Sequence, residues 1–451
     1  MRRPTAKLVA GTAALALLGA ACTSRDDDDA TTEAGETEAG ESAIDTAECV
    51  TDPTVEVEGD SIRIVSSYPQ SGLTAPFAEV ARGWKAYFDK VNEEGGVDFG
   101  GKTVTIEYDD RDDEYNSART VANIDEMVGR DGEGAFAVFS VVGTANNLAI
   151  RDSLHELCVP NVFAATGSTA WGNLDYPWLI GSSLSPYSLE GYMFARVLEE
   201  ENPSAQVAML VQDDRFGAEY EEGFRRAIEG TDIEVVEVQE YTTGASEVGA
   251  QITSLAASGA DAFFNGGTLL ACPDALTQAA QNDWQPLTWV SSTCLSDTLM
   301  GLAGAAADGV WGAANLKDPL DPEWDDDEAM VEYLDTVRQY QPDGFRETNA
   351  VVGYGYTQGA LFVAALEAAE APTRLALMES VRNLEASDVG LLLPGVTVST
   401  SDGDSYMGEA LMLAQYEFTG EGERNHFVPT GELVDFEGET AELTPEELIT
   451  G

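Results

Sequence analysis

The sequence predicts an α/β fold of two doubly wound parallel-sheet lobes joined by a hinge, on three observations. Short apolar strands alternate with amphipathic helices along most of the chain, a pattern of parallel sheets covered on both faces. The alternation falls into two runs, split near Gly181–Pro186. Residues from about 60 to 435 are also too many for one small domain and suit two lobes.

The first strand is read at Ser61, in SIRIVSS. The helix after it places Phe77, Val80, Ala81, Trp84, Tyr87, Phe88 and Val91 on one face at helical spacing, and Gly95-Gly96 stops it. TVTIEY from Thr103 is the second strand, Asn116–Val128 a helix, and AFAVFSVV from Ala135 a third strand. A helix through Leu148 and Leu154 leads to the strand NVFAA at Asn161. The alternation resumes with QVAMLV at Gln206, IEVVEV at Ile233, DAFFNGG at Asp261 and LTWVSS at Leu287.

The N-terminus carries a different signal. Arg2 and Arg3 precede an apolar stretch from Leu8 to Leu18 and the small residues Gly19-Ala20-Ala21. That is the make-up of an export signal, and the run is shorter than the ~20 apolar residues a bilayer crossing needs. The stretch LGAAC ending at Cys22 resembles the lipobox of bacterial lipoproteins, in which the cysteine is lipidated and becomes the new N-terminus. One departure is that Leu18 stands four residues before the cysteine, where three is usual; an ordinary secreted protein with a spare cysteine is the alternative. The resemblance implies a signal peptide over 1–21 and a mature protein lipid-anchored to the outer face of the cell membrane, periplasmic or cell-surface. Residues 26–60 are rich in Asp, Glu, Thr, Ala, Gly and Ser, so residues 22–60 are expected to form a lipidated, disordered acidic linker. No later segment is apolar enough to span a bilayer.

Charge narrows the partners. The chain carries 81 acidic and 23 basic residues; beyond residue 60 there remain 67 acids against 19 bases. Such a surface repels nucleic acid and anionic lipid. Self-repulsion on this scale calls for screening, and at 1 M salt the Debye length is about 3 Å. The balance points to a halophilic setting, with acid runs such as Asp109–Glu114 and Asp325–Glu328 serving as solvated surface.

Several stretches, in order, carry a resemblance: SGLTAPF, GWKAYFDKVNEEGGVDFGGKTVTIEYDD, VVGTANNLAI, VPNVFAATGST, QDDRFGAEYEEGF, ADAFFNGG and GYGYTQGALFVAALEAAE. From about Ile62 to Ala369 the chain resembles the type I periplasmic binding proteins of the leucine/isoleucine/valine-binding family, the capture components of ABC importers. The resemblance implies a first lobe of 61–184 plus 313–405, a second of 185–312 plus 406–435 that includes a strand near Leu411–Phe418, and an acidic tail over 436–451. It implies a monomer that binds a small-molecule ligand between the lobes and delivers it to an ABC permease and ATPase complex.

The site follows from both lines. In open parallel sheets ligands bind beyond the carboxyl ends of strands, where helix N-termini present free N–H groups. Gly143-Thr144-Ala145-Asn146 follows the third strand and opens a helix, so it can hold a carboxylate, and Thr144 matches the hydroxyl that amino-acid binders use. Ala164, Ala165 and Thr166 match the segment that supplies a carbonyl and a hydroxyl to the ligand head group. Phe216 falls where relatives often have a ligand-stacking tyrosine. Tyr354 and Tyr356 lie near the interlobe segment, and Pro76 or Phe77 is placed at the entrance. Where amino-acid binders put an acid against the ligand ammonium, this chain offers Ser292, Thr293 and Cys294. The tyrosine common near Thr268 is missing too. A buried ammonium without a carboxylate is costly; either Asp213 or Asp214 could substitute, or the ligand carries no amine. The ligand class is therefore a branched-chain amino acid or a related small polar solute: an amide, a urea-like molecule or a carboxylic acid.

With Cys22 assigned to lipid, four cysteines remain in an oxidising compartment, and three pairings are open. Cys272 and Cys294 follow adjacent strands of the second lobe and are expected to pair, which leaves Cys49 with Cys158. The absence of a CxxC pair or histidine cluster argues against a metal, and no cofactor is expected. Only His155 and His426 occur, without a GxSxG elbow, phosphate loop or HExxH, so the chain is not read as an enzyme. The competing function is a ligand-sensing receptor module of the same fold acting with a signalling partner. The chain ends at Gly451 without a membrane span, which favours free-standing capture.

Overall fold

The computed structural model describes residues 44–341 and 346–451. The expected signal peptide, the expected lipidation at Cys22 and the expected linker up to residue 43 lie outside the described residues. Two large sheets organise the rest. The first is built from β1 (Ser61–Tyr68), β2 (Val97–Phe99), β3 (Lys102–Asp112), β4 (Ala137–Phe139), β5 (Asn161–Ala164) and β6 (Leu179–Gly181), in the order β2-β3-β1-β4-β5-β6. It is parallel except for the β2–β3 hairpin, with β1 and β3 in register from Ser61↔Thr105 to Tyr68↔Asp112. The second takes β7 (Gln206–Gln212), β8 (Glu234–Tyr241), β9 (Ala262–Gly266), β10 (Leu287–Val290) and β11 (Trp311–Ala314), all parallel. A minor hairpin, β12 (Glu385–Ser387) with β13 (Thr397–Ser399), precedes β14 (Ala410–Glu417) and β15 (His426–Asp435). The last two join the second sheet antiparallel, giving β15-β14-β11-β10-β9-β7-β8.

Helices α1 (Glu79–Glu93), α2 (Ser117–Val128) and α3 (Thr144–Leu157) connect strands of the first sheet. Helices α4 (Tyr187–Glu201), α5 (Arg215–Ala227), α6 (Gly249–Ala257), α7 (Ala271–Gln281) and α8 (Asp297–Ala303) belong to the second run. The chain then returns to the first sheet through α9 (Glu328–Tyr340), α10 (Ala350–Ala368) and α11 (Arg374–Val381). Helix α10 is apolar on nearly every side because it is buried on nearly every side. It meets α1 at glycines: a Cβ on Gly355 would lie 1.9 Å from the Val80 carbonyl oxygen, and one on Gly83 2.1 Å from that of Val352. Phe139 of β4 stacks on Phe88 and Phe362 at 5.4 and 5.0 Å, which ties both helices to the sheet. The second core has its own aromatic centre, with Phe194 of α4 at 5.7 Å from Phe264 and 5.5 Å from Trp289.

Three segments connect the sheets and lie side by side. Asn315 donates to the Ser183 carbonyl at 2.6 Å and to the Ser185 hydroxyl at 3.3 Å. Gly408 sits so close that a Cβ there would meet the Ser183 oxygen at 2.4 Å.

Both ends of the chain depart from the expected division. The linker does not run to residue 60 as free chain: Val57 N–H donates to the Pro372 carbonyl, Leu375 N–H to that of Pro53, and Cys49 is bonded to Cys158. Residues 436–451 are no loose acidic tail either. They form α12 (Thr440–Leu443) and α13 (Glu446–Thr450), with Phe436 and Leu448 buried and the Leu448 carbonyl accepting from the Thr169 hydroxyl at 3.2 Å. The apolar residues spaced among the acids supply the reason.

Candidate functional site: a cavity at the strand ends of two sheets

In each sheet the strand order reverses, at β1/β4 in the first and β7/β9 in the second, and such switch points open a crevice beyond the carboxyl ends. A cavity of about 150 Å³ lies there, walled by residues following β3, β4 and β5 on one side and β9, β10 and β11 on the other.

The polar end of the first wall is the start of α3. Gly143 precedes the helix with φ +101° and no side-chain cap, so the N–H groups of Thr144, Ala145 and Asn146 have no partner among the described residues. The Thr144 and Thr166 hydroxyls are 2.6 Å apart, and Tyr187 O–H donates to Thr166 Oγ1 at 3.2 Å. The loop behind them is fixed by Asn147, whose amide donates to the Val141 and Gly143 carbonyls at 2.8 and 2.9 Å. Helix N–H groups and aligned hydroxyls favour an anion.

Tyr115 covers this end. Glu114 and Tyr115 both adopt left-handed backbone, with φ 48° and 59°. The buried Asp113 carboxylate holds the turn by accepting from Tyr115 N–H, Ser67 O–H and Thr120 O–H, each at 2.9 Å. The ring thereby lies 5.5 Å from Phe77 and directly over Gly143, where a Cβ would meet it at 2.7 Å.

The facing wall brings Phe216, packed on Tyr187 at 5.0 Å, together with Thr268, Ser292 and Thr293. The Thr268 hydroxyl is buried without a partner among the described residues. Behind them the Glu190 carboxylate accepts from Ser292 N–H at 2.9 Å and Tyr220 O–H at 2.8 Å. Burial pushes its carboxyl up to about 7. The remainder of the wall is mainly aliphatic and aromatic, including Leu184, Leu316, Val351 and Leu411, with Lys317 and Asp318 at the exit of β11.

Of the residues expected at the site, Phe77, Thr144, Ala165, Thr166, Phe216, Thr268, Thr293 and Tyr354 line the cavity. Asn146 and Ala164 do not. The Asn146 amide turns back to the Val142 carbonyl at 2.9 Å and accepts from Ser117 O–H, while Ala164 packs behind the strand against Trp171 and Leu179. Pro76 and Tyr356 are also outside the wall, the latter stacked on Tyr87 and Tyr333 at 5.0 and 5.1 Å. Nor do Asp213 and Asp214 face the cavity: Asp214 caps α5 by accepting from Gly217 N–H. Sequence reasoning missed Tyr115, Asn315 and Asp318, which stand in a turn and a crossing with no local signature, and Tyr187, the first residue of α4. The disulfides join Cys272 to Cys294, behind the second wall, and Cys49 to Cys158.

The family model described as "Periplasmic binding protein" matches residues 61–421. No curated protein matches. Among solved structures, a branched-chain amino acid ABC transporter protein from Thermus thermophilus with bound valine is 18% identical, with a TM-score of 0.72 over 84% of this chain and 97% of that one. A fatty acid ABC transporter substrate-binding protein from Thermomonospora curvata is also 18% identical, with a TM-score of 0.71 over 86% and 96%. A substrate-binding periplasmic protein from Ralstonia solanacearum reaches 22% identity and a TM-score of 0.69 over 82% and 100%. At these identities the structural likeness speaks for the fold. The family match spans most of the sequence and the two-sheet architecture agrees with it: the chain belongs to the periplasmic binding proteins.

Proposed function

We propose that this chain is the extracytoplasmic solute-binding protein of an ABC importer, held near the membrane by a lipid on Cys22, and that it captures a small carboxylate with an apolar body. The observation that carries this reading is the uncapped start of α3, with the Thr144 and Thr166 hydroxyls beside it, at one end of a mostly apolar cavity. A branched-chain amino acid or a related carboxylic acid fits that chemistry, and two proteins of like fold are named for valine and fatty acids. The walls come from different sheets, so a ligand touching both favours the closed arrangement by its differential affinity, and closure is a hinge motion of the three connecting segments. The closed form is then what a permease would recognise.

A thermal-shift panel on the full chain in molar salt tests the assignment, with amino acids, amides, ureas and amine-free aliphatic and aromatic acids. Ligand at 100 times its Kd stabilises the fold by about 2.7 kcal/mol, an easily read shift. Stabilisation by carboxylates and not by their amides supports the reading; stabilisation by amides or ureas alone overturns it.

A further inference from the structure

Residues 436–451 lie beyond the stretch that the family model matches, yet they are built into the body of the protein. They run as a strap over three places. At the crossing before β14, the Glu409 carboxylate accepts from Gly438 N–H at 3.1 Å and from the Thr440 hydroxyl, and the Glu409 carbonyl accepts from Phe436 N–H at 3.2 Å. On α4, beside the second sheet, Tyr192 O–H donates to the Leu443 carbonyl at 2.9 Å, and the hydroxyls of Ser188 and Thr444 are 2.8 Å apart. The strap then reaches the first sheet. In the turn between β5 and β6, Thr169 O–H donates to the Leu448 carbonyl at 3.2 Å.

The same carbonyl also accepts from the Arg215 guanidinium of α5, so one oxygen joins the layers of both sheets. A buried carboxylate completes the junction. Glu219, one turn along α5, accepts from Arg215 Nε at 3.1 Å. It also reaches across to the first sheet, accepting from Thr169 N–H at 2.8 Å and from Ser168 O–H. Tyr406 of the third connection donates to the Thr169 carbonyl at 2.9 Å. Removing one partner from a buried charged pair leaves the other uncompensated, so the junction resists any motion that parts α5 from this turn. Glu219, Arg215 and Leu448 do not line the cavity, but Thr166 stands two residues before Ser168, and Phe216 directly follows Arg215.

We infer that Glu219 is a positioning residue which, together with Arg215 and the strap of residues 436–451, latches the two sheets in the arrangement that brings Thr166 and Phe216 to one cavity. The inference rests on the hinge motion of the proposed function and on no particular solute. With the latch released, the sheets are free to part, and fewer molecules hold both walls where a ligand can touch them. The apparent Kd rises by the inverse of the fraction that remains competent. Because the latch touches no ligand, that factor is the same for every solute.

The test measures the separation of the sheets directly, in the full chain and without ligand. Spin labels are placed at the exposed Leu73 and Glu247, on either side of a seam lined by Leu73 and Ser246, and their distance is read by pulsed dipolar spectroscopy. Glu219→Ala, which removes the carboxylate, and Leu448→Ala, which removes the buried anchor of the strap, should each shift the distribution to longer distances. Calorimetry with leucine, 4-methylpentanoate and hexanoate should then show Kd raised by a common factor of about ten for each probe that binds the wild type. Variants that melt at a lower temperature but keep the wild-type distance distribution would make the junction only a part of the packing, and overturn the inference. Should Glu219→Ala not fold, Leu448→Ala and Arg215→Ala decide by the same distance. Silence from all three probes counts against the carboxylate reading, while the ligand-free distances still decide this inference.

Discussion

Replacing Thr144 and Thr166 by valine, singly and together, removes two hydroxyls while nearly keeping their shape. In the ligand-free site the two hydroxyls bond each other at 2.6 Å, and Tyr187 O–H bonds Thr166 at 3.2 Å. Thr144→Val leaves Thr166 with Tyr187 as a donor, so about 1 kcal/mol of stability is at stake. The double variant strands only the Tyr187 hydroxyl, at about 1–3 kcal/mol. Binding suffers more, because a hydrogen bond to a charged carboxylate contributes about 1.5–3 kcal/mol. Each single change should weaken binding roughly ten- to 150-fold, since about 1.4 kcal/mol is a factor of ten. The double variant should lose less than the sum, because the two hydroxyls act as a unit. The three free N–H groups of α3 remain and retain residual affinity. Calorimetry with whichever carboxylate gives the largest thermal shift measures the loss, and urea unfolding separates it from stability. A double variant within threefold of wild-type affinity would refute the placement of the anion.

The Gly143→Ala change forces a Cβ onto backbone with φ +101° and 2.7 Å from the Tyr115 ring. Binding should be lost and stability reduced by more than about 1 kcal/mol, and unaltered affinity would show that Tyr115 does not close the cradle. The pH dependence of stability has a definite sign. Burial raises Glu190 and Glu219 to about 7 and Glu409 to about 8, so the fold holds protons that the unfolded chain has released. Their contribution is complete below the ordinary glutamate value and is lost as the pH rises through about 7 to 8. Melting temperature at constant molar salt should therefore fall from pH 5 to pH 8.5, and Glu219→Gln should flatten part of the slope. A rising profile would contradict the burial of these carboxyls.

The strand–helix frame was legible because its signals are local. Strands β1, β7 and β9 are apolar runs, and α1 shows its buried face at helical spacing. The elements that escaped notice lack such signals. Strands β2 and β6 have three residues each, β11 reads WGAA with no branched side chain, and β15 contains Pro429 and Gly431. Proline is tolerated there because β15 is the edge of its sheet. Thr144 and Thr166 could be found because strand-to-helix junctions lie beyond strand ends. Ala164 missed the cavity by one residue, since successive side chains of a strand face opposite ways. Tyr115 could not be found from composition: its place depends on two left-handed residues and on a carboxylate buried beneath them.

The cavity and the connecting segments share residues, and this bears on how binding and motion relate. Ser185 and Asn315 are hydrogen-bonded to each other across two of the three connections, and both line the cavity. Leu184 and Leu316 flank them on the same wall. A ligand in the cavity therefore touches the hinge as well as the two sheets it joins. Under the proposed function, a solute that fills the space against Leu184 and Leu316 acts on the hinge angle directly, and one that reaches only Thr144 and Thr166 does not. Affinity and closure need not rank solutes in the same order. A short acid such as acetate can occupy the α3 end while leaving the hinge wall bare, whereas a solute long enough to reach both is the one able to favour the closed state.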